Sequence, residues 1–325
     1  MYHFCTLFDQ NYLLRGLTLY RSLAQHTPNF MFYVLCLDKN TYATVSKLQQ
    51  ENIKAIKLEE IETWDIRLKQ AKINRSQVEY YFTLSPALPL FLLETKKEIE
   101  IITYLDADLF FYQSPEPIYE ELGNKSILIV EHRFPKDLEH FAVHGKFNVE
   151  YQSFRRDEEG IACLTKWHEQ CLDWCYDRIE GDKFADQKYL DEWPSLYKNL
   201  VVLQHKGAGL APWNWSQYKF EIDKNNKLKV DGHSLIFYHF HGIKILTPCF
   251  IYHGMHAYKV MPKKYLNWFY VDYISQMKQT EHWLKLQKLG EFKIDAEEQI
   301  RAINKYKIKR LYHLIKKYLM GMKVC

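Results

Sequence analysis

The sequence predicts an α/β fold: a mostly parallel central sheet with helices on both faces, followed by a C-terminal helical extension. Two observations carry that expectation. Short apolar runs suited to buried strands alternate with segments whose apolar residues recur at helical spacing, the pattern of strands and crossover helices around a parallel sheet. The chain also has 325 residues, enough for one large domain with an appendage, or for two medium domains, to bury a full core. We place the main domain at residues 1–255, with halves at 1–110 and 111–255, and the extension at 256–325.

The elements follow in order. HFCTLF (residues 3–8) is a short apolar strand, DQN a polar loop, and LLRGLTLYRSL a helix. FMFYVLCLD (30–38) is a buried strand ending in Asp38, TYATVSKLQQ a helix, and IKAIKLE (53–59) a short strand. Residues 60–80 form a polar helical stretch, and SPALPLFLLET a helix that begins near Pro86. ITYLDADLFFY (102–112) then carries a strand into Asp106-Ala107-Asp108. SPEPIYEEL reads as a turn with a short helix, SILIVEH as a strand, and YQSFRRDEEGIACLTKWHEQCLDWCYDRI as a strand followed by a long amphipathic helix. Residues 186–220 are loop-rich and aromatic, and LIFYHFHGIKIL (235–246) is the last strong strand.

Beyond residue 256 the chain turns helical and charged. Its last stretch, INKYKIKRLYHLIKKYLMGMKVC, holds seven Lys or Arg and no acid, and Ile308, Leu311, Tyr312, Ile315, Leu319 and Met322 recur at spacings of three and four. A basic helix with such a stripe suits an anionic membrane surface; docking of the stripe on the domain is the structural alternative.

Composition narrows the class. A formal net charge of +4 is too small for a nucleic-acid binder. Seven cysteines form no CxxC pair and are odd in number, which argues against a disulfide framework or zinc ribbon and for reduced thiols in the cytoplasm. MYHFCTLFDQ lacks the features of a signal peptide, and no apolar run approaches the roughly 18 residues of a membrane span. The expected location is cytoplasmic, peripheral on the inner face of the cell membrane if the basic helix binds it. The 24 Tyr, 19 Phe and 8 Trp suit either a bulky core or pockets for ring-shaped ligands.

Four clusters could carry chemistry. Side chains alternate along a strand, so Asp106 and Asp108 are expected to project to one side at its carboxyl end, where open α/β sheets bind ligands. A divalent cation, Mn²⁺ or Mg²⁺, would let both stay charged, and a capped strand end is the alternative. Tyr238-His239-Phe240-His241-Gly242-Ile243-Lys244 offers His239 as a nitrogen ligand and Lys244 for phosphate oxygen, although a His in an apolar strand is often structural. Asp186-Gln187 is a polar pair between aromatic flanks, or a helix cap. Asp9-Gln10-Asn11-Tyr12 could bind and stack a base, or cap the first helix.

These pieces stand in the order seen in glycosyltransferases of the GT-A fold, and the chain resembles family 8, the group of glycogenin and the bacterial lipopolysaccharide galactosyltransferases. The resemblance covers roughly residues 3–250 and rests on CTLFDQNYLLRGLTLYRSL, YLDADLFFYQSPEPIYEEL, FNVEYQSFRRDEEG, FADQKYL and HFHGIK. It implies that Asp106, Asp108 and His239 hold Mn²⁺, with Mg²⁺ the alternative, and that Lys244 assists on the phosphates. It further implies that Asp9, Asn11 and Tyr12 hold the base of a nucleotide-diphosphate sugar, uracil being expected. Asn148 corresponds to the residue touching the donor sugar, and Asp186 with Gln187 to the pair beneath the reacting sugar. The implied reaction is transfer of a hexose to a saccharide or lipid-linked saccharide acceptor with retention, through an ion pair or a covalent intermediate, in surface-glycan synthesis.

Three departures mark this chain. Gly242 and Lys244 are one residue closer than the family pattern and no Pro-Trp follows; no Lys or Arg stands near Tyr81-Phe82-Thr83; and Glu150 replaces the glycine expected in Asn148-Val149-Glu150. Two other functions compete. A sugar-1-phosphate nucleotidyltransferase would carry a glycine-rich, Arg-containing loop near residues 8–20, where only Arg15 and Gly16 are present; a non-catalytic saccharide or sugar-nucleotide binder would not need Asp106, Asp108 and His239.

Overall fold

The computed structural model describes residues 1–247, 250–289 and 321–324. Its central sheet has seven strands: β1 (Tyr2–Phe8), β2 (Phe30–Cys36), β3 (Ile53–Lys57), β4 (Ile101–Leu105), β6 (Ile127–Glu131), β7 (Phe147–Arg155) and β8 (Leu200–Val202); β5 (Leu109–Phe111) lies outside it. The order is β3-β2-β1-β4-β7-β6-β8, and β7 alone runs antiparallel to its neighbours. Helices α1 (Leu13–His26), α2 (Lys39–Val45), α3 (Leu58–Trp64), α4 (Arg67–Asn74), α5 (Gln77–Thr95), α6 (Glu116–Leu122) and α7 (Glu158–Asp173) connect or cover the strands. Alternation along the strands divides the interior in two. Phe4, Val34 and Leu105 enter one apolar core with α1, while their neighbours Cys5, Leu35 and Tyr104 enter the other with α5 and α7. The α/β expectation, with helices on both faces, therefore holds.

The chain leaves β1 toward β2 on one side and returns as β4 on the other. The carboxyl ends of β1 and β4 thus border the point where strand order reverses, so Asp9 and Asp106 open one crevice.

Three local expectations change. First, the helix expected near Pro86 begins nine residues earlier, at Gln77. Ser76 accepts from the Glu79 amide and Glu79 accepts from the Ser76 amide, a reciprocal cap that starts the helix upstream and leaves Pro86 and Pro89 inside it. Second, the strand expected at 235–246 is broken. After the small sheet of β9 (Phe220–Ile222), β10 (Leu228–Val230) and β11 (His233–Ser234), it divides into β12 (Phe237–His239) and β13 (Lys244–Thr247). Gly242, at φ +70°, makes the turn between them. β12 then pairs with β5, and β13 with β14 (Phe250–Tyr252).

Third, Met322 does not continue a helical stripe. It lies in β15 (Met322–Lys323), paired with β14, and only glycine fits at 321, because a Cβ there would lie 2.6 Å from the Ile251 carbonyl oxygen. The rest of the basic segment expected to bind membrane lies outside the described residues. Two further helices, α8 (Trp193–Leu196) and α9 (Lys263–Leu286), complete the described chain. The residues of the expected extension include α9, which buries Phe269, Tyr270, Tyr273 and Ile274 in the same core as Phe4; Tyr273 stacks on Phe240 with centroids 3.8 Å apart, and Thr280 meets Thr18 at 3.0 Å. Cys5, Cys36, Cys163, Cys171 and Cys175 are buried and unpaired. No helix among the described residues is long and apolar enough to cross a membrane.

Candidate active site

The turn after β1 is held by one carboxylate. Asp9 Oδ1 accepts from the amides of Asn11 (2.9 Å) and Tyr12 (3.2 Å), while Oδ2 accepts from the Asn11 side chain (3.2 Å) and the Tyr81 hydroxyl (3.3 Å). The Asp9 carboxylate therefore organises the entry into α1, as a capping residue does. Asn11 and Tyr12 stay exposed at the mouth of the crevice. The Arg15 guanidinium lies 4.5 Å from the centre of the Tyr12 ring and also donates to the Ile243 carbonyl at 3.3 Å, tying α1 to the turn between β12 and β13.

Beyond β4 the antiparallel ladder to β7 gains one more bond, from the Asp106 amide to the Glu150 carbonyl at 3.0 Å. The chain then turns, the Leu109 amide donating to the Asp106 carbonyl at 3.2 Å. Asp106 and Asp108 converge through this turn and not by strand alternation. β5 pairs with β12 so that Leu109 faces His239, and the Phe240 amide donates to the Asp108 carbonyl at 3.0 Å. His239 Nε2 lies 3.0 Å from Asp108 Oδ1 and 3.8 Å from Asp106 Oδ2, and potential ligand atoms of the three residues all fall within 4.8 Å of one another. On its other side His239 Nδ1 meets Glu150 Oε2 at 2.7 Å, a carboxylate with 1% of its side chain exposed.

Three carboxylates around one imidazole set the local electrostatics. Burial pushes the Asp106 carboxyl up, and the positive charge on His239 offsets this only in part against Asp108 and Glu150. Burial acts on Asp108 in the same direction, yet His239 outweighs it and holds that carboxyl low. At His239, burial opposes the charged imidazole, but Asp108 and then Glu150 hold its pKa well above the ordinary value. The cluster thus favours positive charge among its carboxylates. Two carboxylates and an imidazole nitrogen, with the other nitrogen held by a carboxylate, form a donor set that fits Mn²⁺ or Mg²⁺.

Asn148 donates from Nδ2 to His132 Nε2 (2.9 Å) and accepts the Glu150 amide on Oδ1 (2.7 Å), so its amide is held from both ends. His132 stays neutral, because burial lowers its pKa to about 3. Asp186 is buried, its carboxyl pushed up to about 7 by burial, with a Ser85 hydrogen bond opposing and the Asp106 charge adding. The residue before it, Ala185, takes a left-handed φ of +47°, a conformation uncommon for a residue with a Cβ. Gln187 donates to the His144 carbonyl at 2.9 Å.

A cleft of about 790 Å³ joins these groups. Asp9, Asn11, Tyr12, Asp106, Asp108, Asn148, Asp186, Gln187 and His239 all line it. Lys244 does not; it begins β13 with its side chain exposed. Among the described residues the lining contains no lysine or arginine. The sequence reading missed a wall of Phe134, Phe141, Trp213 and Tyr258, whose rings are in mutual contact. It also missed Tyr81 and His132, and the role of Glu150. The aromatic character of residues 186–220 pointed to Trp213 alone, and Glu150 stood out only where a glycine was expected; the rest carried no local signal.

No protein family model matches the chain. Over 251 residues it is 32% identical to the uncharacterized protein YfnF of Bacillus subtilis strain 168, spanning 75% of this chain and 82% of that one. It is 29% identical over 249 residues to the uncharacterized protein YfnD of the same strain, spanning 76% and 79%. Among solved structures, the galactosyltransferase LgtC, crystallised with donor and acceptor sugar analogs, superposes with a TM-score of 0.52 at 15% identity, over 82% of this chain and 100% of that one. The glycosyltransferase GlyE of Streptococcus pneumoniae TIGR4 gives a TM-score of 0.50 at 14% identity, over 89% and 64%. The likeness at these identities is one of fold, and the fold is the expected GT-A arrangement.

Proposed function

The chain belongs to the same family as YfnF of Bacillus subtilis, and from the fold it shares with LgtC and GlyE we propose that it is a metal-dependent glycosyltransferase. It moves a hexose from a nucleotide-diphosphate sugar, UDP being the expected nucleotide, to a saccharide acceptor. The observation that carries this reading is the convergence of Asp106, Asp108 and His239 in a large cleft at the strand-order reversal. These three would hold Mn²⁺, or Mg²⁺ in its place. The ion, when bound, supplies charge neutralisation for the diphosphate and for the departing nucleoside diphosphate.

The chain's own residues divide the remaining work. Asn11 and Tyr12 receive the base on the turn that Asp9 organises. Asn148, held by His132 and the Glu150 amide, presents its remaining N–H to the donor sugar. Asp186 and Gln187 lie beneath the reacting sugar, which is transferred with retention. The aromatic wall of the cleft suits an acceptor sugar, whose C–H faces pack on rings. Lys244, exposed on β13, would have to turn toward the cleft to reach a phosphate.

The test is nucleoside diphosphate release across a panel of sugar nucleotides with Mn²⁺, using the wild-type protein and Asp106→Asn and Asp108→Asn. Wild type is expected to turn over at least one donor, and each variant to lose activity with little change in thermal midpoint. No turnover and no binding of any donor would end the proposal; full activity in either variant would end the ligand assignment.

A nucleotidyltransferase is disfavoured by α1, since Arg15 and Gly16 lie inside a helix and Gly16 serves packing, a Cβ there meeting the Phe8 ring at 2.2 Å. We assign the acceptor to a membrane-linked glycan, on the basic sequence of residues 305–317, which carries Lys305, Lys307, Lys309, Arg310, Lys316 and Lys317. Changing Lys309, Arg310, Lys316 and Lys317 to Gln should weaken sedimentation with phosphatidylglycerol vesicles and leave turnover of a soluble acceptor intact; unchanged sedimentation refutes it.

A further inference from the structure

We propose that Glu150 is the positioning residue of the metal centre, holding two of its three ligands from behind; this rests on the metal reading of Asp106, Asp108 and His239. Its side chain and its backbone act on different ligands. Oε2 lies 2.7 Å from His239 Nδ1, and the backbone carbonyl accepts the Asp106 amide at 3.0 Å. A hydrogen on Nδ1, donated to Glu150, leaves the Nε2 lone pair as the ligand, and Nε2 is the atom that faces Asp108 and Asp106. Glu150 does not line the cleft, so it acts through His239 and touches no substrate.

Two features of the surroundings are built around that carboxylate. Its amide donates to Asn148 Oδ1 at 2.7 Å, which links the metal centre to the residue proposed to meet the donor sugar. Gly209, at φ +73°, leaves room beside its other oxygen: a Cβ at 209 would sit 3.4 Å from Glu150 Oε1 and 2.7 Å from Val130. A buried carboxylate without a charged partner is costly, and His239 is the one ion-pair partner that Glu150 has among the described residues. Replacing Glu150 frees His239 to rotate or to take the other tautomer, which weakens the ligand without removing it.

Metal binding by itself reads this out. Mn²⁺ affinity is measured by electron paramagnetic resonance of the free ion and by calorimetry, on the full chain stripped with chelator and without donor, for wild type, Glu150→Gln and Glu150→Ala. The amide oxygen of Gln can still accept from Nδ1, so the expected order of affinity is wild type, then Gln, then Ala. We expect Ala to lose about 10–100-fold and Gln less, about three- to ten-fold. Thermal midpoints in chelator establish that each variant is folded, and if Ala does not fold, Gln decides alone. In turnover, the Mn²⁺ concentration for half-maximal rate should rise in the same order while the rate at saturating Mn²⁺ recovers in the Gln variant. Folded variants that bind Mn²⁺ as tightly as wild type overturn the role of Glu150 and leave the metal centre standing. A wild-type chain that binds no Mn²⁺ overturns the underlying reading instead.

Discussion

Replacing Asp186 with Asn should make the protein more stable, and more so as pH rises. Asp186 is 4% exposed, and burial raises its carboxyl from an ordinary 3.8 to about 7. A carboxyl whose pKa is raised on folding favours the folded state only as the neutral acid. The penalty is absent well below pH 3.8, grows between 3.8 and 7 as the unfolded chain ionises first, and is complete above 7. At about 1.4 kcal/mol per pH unit, that interval corresponds to about 4 kcal/mol at pH 8 and about 2 kcal/mol at pH 5. Asn carries no charge and is nearly isosteric, so Asp186→Asn recovers most of this difference. Urea unfolding followed by tryptophan fluorescence, in chelator at both pH values, measures it. A stability difference that does not change between pH 5 and pH 8, or a variant less stable at pH 8, refutes the reasoning. Transfer activity is expected to fall at both pH values. A carboxylate that destabilises the fold and is needed for turnover belongs to the function.

Two further perturbations test the scaffold. Phe237→Ala removes a fully buried ring that stacks on Tyr151 at 5.5 Å and meets Phe111 at 5.4 Å; it should cost about 3–5 kcal/mol in urea unfolding and also weaken Mn²⁺ binding, because β12 carries His239. Gly254→Ala puts a Cβ 2.5 Å from the His241 carbonyl oxygen at a φ of +80°; a loss of about 1–3 kcal/mol is expected, and a thermal midpoint equal to wild type would show that the turn at His241-Gly242 yields freely.

Much of the fold was legible because burial and backbone period are local properties. HFCTLF and FMFYVLC read as strands since both their faces are covered, and the structure sends Phe4 and Cys5 into separate cores. Asp106 and Asp108 were legible because two carboxylates between apolar runs are costly unless they have a purpose. The helix start at Ser76 could have been found as well, from Ser76 and Glu79 three residues apart. Other features had no local signature. Glu150 read only as a glycine displaced, and Phe134, Phe141, Trp213 and Tyr258 as ordinary aromatics.

The α/β alternation, the acidic motif at the end of the fourth strand and the candidacy of His239 are legible in the letters alone. What His239 meets is a property of the assembled sheet. Its partner Glu150 is 89 residues away, and the two are brought together by the register of β4 on β7 and of β5 on β12. Register is set by summed packing across whole strands, and a one-residue slip would turn Glu150 to the opposite face with no change in local pattern. The paired aspartates are therefore readable from eleven letters, while the residue that steadies their third companion becomes visible only when the sheet is assembled.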